Sequence, residues 1–194
     1  MSLSIQKIGL LALASVLFPL MAFANDRLVP NRPSHSHTPL ACDYCHLRDN
    51  PEQKPAFKRV DNVLYLDECG TCHLAYQPEW LPKRSWTKLL GNLKDHFGEE
   101  VSLTPGQVRV IEKFVMKRTA DVSKAALTKK VMADLGAEEA PIRIMDIPFV
   151  KKHHEGIGAD VLARKSVRSL ANCEACHISA HGGLYIKKHI NIPD

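Results

Sequence analysis

The sequence predicts a mainly α-helical protein with long irregular connections. Apolar residues recur at helical spacing in several windows, and those windows open and close with helix start and stop residues. No alternating strand pairs and no Asn-Gly hairpin turn occur along the 194 residues. The length allows one domain or at most two, and 24% charged residues beside ample Leu, Val and Ile exclude a disordered chain. The only long apolar run stands at the very start, which excludes a polytopic membrane protein.

Residues 1–24 read as a secretory signal peptide. Lys7 supplies the basic region, residues 8–20 the apolar stretch, and Ala22-Phe23-Ala24 the cleavage site. At about 13 residues the stretch is shorter than the roughly 20 that a membrane-spanning helix needs. Cleavage after Ala24 predicts a periplasmic chain, with the formal charge falling from +5 to +4 because Lys7 is the only charged side chain removed. Residues 25–62 then form an N-terminal extension and residues 63–194 the core. A first helix is expected over 81–97: Pro82 suits its first turn, Trp86, Leu89, Leu90, Leu93 and Phe97 share a face, and Gly98 is the stop. A second opens at Thr104, with Pro105 in its first turn and Val108, Ile111 and Val115 on one side. A third spans about 121–135 and a fourth about 158–170. Residues 142–150 read as an extended apolar segment containing Pro148.

Six cysteines beside ten histidines make the composition unusual, since both are metal ligands. The cysteines form three pairs, each followed at once by histidine. They are Cys42-Asp43-Tyr44-Cys45-His46, Cys69-Gly70-Thr71-Cys72-His73 and Cys173-Glu174-Ala175-Cys176-His177. This is the attachment signature for c-type haem. Two thiols three positions apart on a helical turn reach both vinyl groups of one porphyrin, and the adjacent histidine presents its imidazole to the iron. Zinc ribbons need no histidine after each pair. Redox-active Cys-x-x-Cys of the thioredoxin kind sits on a βαβ pattern, which is absent here. Disulfides within the pairs would close strained rings. Three covalently attached haems c are therefore expected, with His46, His73 and His177 as proximal ligands. Three porphyrins would also supply apolar core to a chain with only 6% aromatic residues.

Seven histidines remain for the second axial positions. After signal removal the only methionines are Met116, Met132 and Met145, each among helix- or core-type neighbours, so bis-histidine ligation is favoured. His96 ends the first helix beside Phe97 and one turn beyond Leu93, where it can face the buried side. One of His153 and His154 is expected to ligate, because adjacent residues are poorly placed to reach the same iron. His35 and His37 precede the first motif in a Pro-rich stretch and can supply its distal ligand from a loop. His181, one turn past His177, suits a propionate or solvent; His189, beside Lys187 and Lys188, suits solvent.

From Glu68 onward the chain resembles the soluble dihaem cytochrome c family. The resemblance is carried by the run from Glu68 through Cys69-Gly70-Thr71-Cys72-His73-Leu74-Ala75-Tyr76-Gln77 to Pro78, by Leu81-Pro82, Ser85-Trp86 and His96-Phe97-Gly98. It continues in Pro148-Phe149-Val150, Lys152-His153, Ser169 to His177 with Asn172-Cys173, and Asn191-Ile192-Pro193. It implies a mostly helical, small periplasmic electron carrier with two low-potential bis-histidine haems. Some members pass electrons to a small oxygen-binding monohaem cytochrome and take them from a membrane cytochrome. By position, His96 and His153 match the family's distal ligands. The family pattern has no counterpart for Cys42 to His46, so the chain looks like a trihaem variant.

The function predicted is electron transfer by a monomer, not enzymatic catalysis, with no small-molecule substrate. The alternative is a haem enzyme or gas-binding sensor with one open-coordination haem, the N-terminal one. The basic pI of 8.9 does not indicate nucleic-acid binding, since Lys and Arg are dispersed without aromatic interleaving.

Overall fold

Short helices joined by turns and 3₁₀ segments carry the chain, as a computed structural model describing residues 54–194 shows. The chain divides into Met1–Ser36 and His37–Asp194, and every described residue belongs to the second unit. Among the described residues there is no β-strand, only isolated bridges between His96 and Glu99 and between His177 and Ile190. The helices are α1 (Val63–Cys69), α2 (Lys83–Leu90), α3 (Pro105–Met116), α4 (Ala126–Ala133), α5 (Pro148–His154), α6 (Ala159–Leu162) and α7 (Cys173–Cys176). None is long and apolar enough to cross a membrane. The predicted mainly α class with irregular connections is what the molecule has.

Local chemistry explains the start of α3. The Thr104 hydroxyl accepts from the Gln107 amide while the Gln107 side chain accepts from the Thr104 amide, so two unpaired helix donors are satisfied at once. Pro105 then occupies a first-turn position where its missing N–H costs nothing. Ile111 and Val115 are fully buried, as their spacing predicts, against α1 and α2.

Three elements differ from expectation. The helix predicted to reach residue 97 ends at Leu90, where the Gly91 amide caps onto the Thr87 carbonyl. A 3₁₀ turn at Leu93–Asp95 follows, and Phe97 and Gly98 both take positive φ, 60° and 93°. The stop is Gly91, not Gly98, and His96 therefore sits on a tight turn. Residues 142–150 are not extended throughout: Pro148 begins α5, its fixed φ being preorganised for a first helical turn. The fourth predicted helix shrinks to the single turn of α6, and Arg168 at φ 66° ends any continuation.

The core gathers Phe57, Tyr65, Trp80, Trp86, Ile111, Val115, Val131, Ile147 and Val150, with Met116 and Met145 packed against it. Residues 54–62, assigned from sequence to the extension, contribute Phe57 and Val60 to this same core. The Phe57 amide bonds to the Gly183 carbonyl at 3.1 Å, tying that segment to the far end of the chain.

Candidate functional site

The helix α1 delivers Cys69 at its last residue, and the turn that follows presents Cys72 and His73. The His73 Nδ1 lies 2.8 Å from the Leu74 carbonyl, and its ring stacks on Tyr76 with centroids 4.8 Å apart. Facing it is His96, its ring centroid 6.2 Å away and its plane turned by 28°. The turn holding His96 is pinned by its amide, which donates to the Glu99 carbonyl at 2.7 Å. It is pinned also by the Arg143 guanidinium, 3.9 Å from the Phe97 ring centre. Burial lowers the His96 pKa, with His73 and Arg143 adding to the effect, so the ring is kept in its neutral, ligand-competent form.

The second group forms around α7, which carries Cys173 and Cys176, with His177 at its C-terminal cap. The His177 amide donates to the Cys173 carbonyl at 2.7 Å, and the Asn191 amide donates to the Cys176 carbonyl at 2.8 Å. The residue brought to His177 is His154, the last of α5, with ring centroids 6.0 Å apart. The His154 Nδ1 lies 2.7 Å from the Val150 carbonyl, which leaves Nε2 as its outward nitrogen. Burial lowers the His177 pKa, with His154 contributing second.

Between the two groups runs a polar and aromatic bridge. The Tyr76 hydroxyl donates to the carbonyl of Ala171, two residues before Cys173. Fully buried Gln77 donates to the Ala180 carbonyl at 2.7 Å and accepts from the Tyr185 hydroxyl at 2.7 Å. The Tyr185 ring lies 5.6 Å from that of His177. A cavity of about 670 Å³, lined by Arg59, Cys72, His73, Arg168, Ala171 and Asn172 among others, opens between the two motifs.

These residues fit a covalently attached macrocyclic metal group better than a bare ion. Among the described residues no cluster of three or more His, Cys, Asp or Glu could hold a metal alone. Each centre instead offers two histidines, which is what a metal already held by four ring nitrogens requires. Two imidazoles in line on one metal, with nitrogens about 2 Å from it, have centroids roughly 6 Å apart, matching the spacings of 6.2 and 6.0 Å. The His96 Nδ1 is buried without a partner. The four described cysteines are not joined in disulfides, and burial pushes the Cys69 and Cys173 thiols up to about 11. Cys69 and Cys173 are thus poor thiolate nucleophiles, unlike the cysteines of a redox-active pair.

Of the residues singled out from sequence, Cys69, Cys72, His73, His96, Cys173, Cys176, His177 and His154 come together in these two groups. His153 does not. It is exposed, its Nδ1 lies 2.7 Å from the Phe149 carbonyl and its ring rests 4.3 Å from Phe149. Neighbouring residues on a helix point about 100° apart, so with His154 turned to His177 its neighbour points elsewhere. His181 lies 3.9 Å from Glu174, and His189 contacts the Ser179 hydroxyl at 3.0 Å instead of being solely solvated. Cys42, Cys45, His46, His35 and His37 lie outside the described residues. Sequence reasoning assigned no role to Tyr76, Gln77 and Tyr185, whose bridge joins partners 95 to 108 residues apart.

A family model described as dihaem cytochrome c matches residues 65–185. That span holds two of the three Cys-x-x-Cys-His motifs and leaves Cys42 to His46 outside. Among solved structures, a diheme cytochrome c from Rhodobacter sphaeroides is 36% identical, covering 66% of this chain and 99% of its own, with a TM-score of 0.59. A diheme cytochrome type c from Shewanella baltica is 28% identical over 68% of this chain and 93% of its own, with a TM-score of 0.55. The search of curated proteins found no match. With more than half its length matched by the family model and a relative above 30% identity aligned almost end to end, this chain belongs to the dihaem cytochrome c family.

Proposed function

We propose that this chain is an exported, periplasmic electron carrier with three haems c, each held by two histidines. The observation that carries the reading is the pair of facing imidazoles, each joining a motif histidine to one from a distant segment at 6.2 and 6.0 Å. Haem bound there supplies a one-electron iron(III)/iron(II) couple. The protein's part is to attach, orient and shield. Cys69 and Cys72 would attach one haem through thioether bonds, and Cys173 with Cys176 the other. His73 and His96 would hold the iron of the first centre, and His177 and His154 that of the second. Tyr76, Gln77 and Tyr185 hold the two centres at a set separation, which an electron relay needs.

The third haem belongs to Cys42 and Cys45, with His46 proximal and His37 or His35 distal. Export follows from the signal at residues 1–24. The donor is a membrane cytochrome and the acceptor a soluble redox protein, of which a small oxygen-binding monohaem cytochrome is one kind. Two histidines at each iron would leave no position for a substrate, which supports a carrier over an enzyme.

The test is a visible spectrum of the dithionite-reduced protein with and without carbon monoxide, alongside a pyridine haemochrome count. Three haems per chain and no carbon monoxide shift are expected. A count of two overturns the trihaem assignment, and a shift in about a third of the absorbance places an open iron in the protein. His154→Ala should turn one haem high-spin while His153→Ala leaves the spectrum unchanged. The reverse result would transfer the ligand role to His153.

A further inference from the structure

The segments that carry the two histidine pairs differ in charge. Residues 61–104, which carry His73 and His96, contain seven Asp and Glu against four Lys and Arg. Residues 146–194, which carry His154 and His177, contain seven Lys and Arg against five Asp and Glu. The excess of cations at the second centre is placed close to its axial pair. Lys151 lies one helical turn before His154 on α5, on the same side of the helix, and Lys152 follows it. Lys187 and Lys188 lie on the 3₁₀ turn Lys187–His189, whose next residue, Ile190, bridges to His177. All four lysines are exposed, and none is in an ion pair with another described residue. Arg164, by contrast, is engaged with Asp160 at 3.6 Å, and Glu174 is drawn to His181 at 3.9 Å.

Two exposed apolar side chains follow closely after Lys187 and Lys188 in the chain. Ile190 and Ile192 are 44% and 48% exposed, although nothing in the fold requires two isoleucines in water there. An apolar centre inside a charged rim is the anatomy of a protein interface, and weak electron-transfer encounters use small ones.

We propose that the surface around the His154–His177 pair is the docking face for an acidic redox protein, with Ile190 and Ile192 at its centre and Lys151, Lys152, Lys187 and Lys188 as its rim. The inference rests on the electron-carrier reading. An acidic partner is drawn to this face, so it meets the second centre first. In the encounter one electron crosses: the partner's donor group is oxidised by one and one ferric iron of this protein becomes ferrous.

The experiment is stopped-flow reduction of the oxidised holoprotein by two donors, a reduced acidic plant-type [2Fe–2S] ferredoxin and the small methyl viologen radical cation. Combining Lys151→Glu, Lys152→Glu, Lys187→Glu and Lys188→Glu should slow the ferredoxin reaction about tenfold or more, since electrostatic steering contributes 10- to 10³-fold to such rates. The viologen reaction should not slow. Added salt should slow the ferredoxin reaction of the parent protein and flatten the difference. The corresponding Gln variants should slow it by less than the Glu set, and Lys129→Glu with Lys130→Glu on α4 should leave it unchanged. Reduction by both donors with a ferredoxin rate indifferent to the four lysines, or slowed equally by the α4 pair, overturns the docking face alone. Failure of both donors to reduce the protein overturns the electron-carrier reading and the docking face with it.

Discussion

Arg118 is the position where a single substitution should most disturb the frame that holds the two histidine pairs. Its guanidinium lies 3.1 Å from the Glu79 carboxylate and donates to the Lys58 and Arg59 carbonyls at 2.8 and 3.3 Å. The two side chains are 14% and 8% exposed, so solvent screens the pair little. Glu79 belongs to the 3₁₀ turn Pro78–Trp80, directly after the Tyr76 and Gln77 that join the two centres. One carboxylate oxygen of Glu79 is already without a partner. Arg118→Ala would leave a buried carboxylate uncompensated and free two backbone carbonyls. Breaking such a pair from one side costs about 3–5 kcal/mol. At about 2–4 °C per kcal/mol for a chain of this size, that is a fall in Tm of roughly 6–20 °C. Thermal unfolding of the holoprotein, followed by far-ultraviolet circular dichroism, reads it directly. Arg118→Met combined with Glu79→Met should recover most of the loss, because no charge is then stranded. An Arg118→Ala protein melting within about 2 °C of the parent, or a double variant no better than the single one, would refute the reasoning.

Three further outcomes are expected. Gly183→Ala should lower the urea midpoint by the equivalent of about 1–3 kcal/mol, because φ there is 76° and a Cβ would lie 2.3 Å from the Phe57 carbonyl oxygen; an unchanged midpoint would count against that contact. Tyr76→Phe should cost about 1 kcal/mol in the same assay by removing the hydrogen bond to the Ala171 carbonyl, while the haem spectrum stays low-spin; full retention of stability would show that the hydroxyl does not tie the two motifs. Burial first, and the charge of Glu79 with it, raise the Tyr65 phenol well above its usual range. The unfolded chain then ionises this group at about pH 10 while the folded one does not, so its contribution is whole below that pH and is lost as pH rises above it. Alkaline unfolding should accordingly begin above about pH 10, and Tyr65→Phe should weaken its pH dependence; an identical pH profile for the two proteins would exclude Tyr65 as a cause.

The helix starting at Thr104 was legible because its signals are local: a capping box, a first-turn proline and an apolar face within twelve residues. The failure at residues 91–98 is instructive. The apolar spacing of Leu93 and Phe97 continues a helical pattern, yet Gly91 ends the helix and the chain turns on Phe97 and Gly98, because the turn brings His96 to His73. A bend at His96 is decided by where His73 lies, and that position is 23 residues away along the sequence. The bridge through Tyr76, Gln77 and Tyr185 was invisible for the same reason, since no periodicity links residues so far apart.

What the sequence shows by itself is the attachment pattern, and the family match covers two of its three occurrences. Each Cys-x-x-Cys-His unit holds two thiols and an imidazole within five residues, so the pattern can be read without the rest of the fold. The tertiary structure alone decided which distal histidine faces which motif. His153 and His154 are equivalent in composition and one residue apart, but Ile147 and Val150 are buried, and on α5 the side they define continues to His154. Packing of that helix against the core therefore sends one imidazole to His177 and leaves the other exposed. The reason is geometric: a ligand pair is a relation between two segments, fixed only when both are folded against a common core.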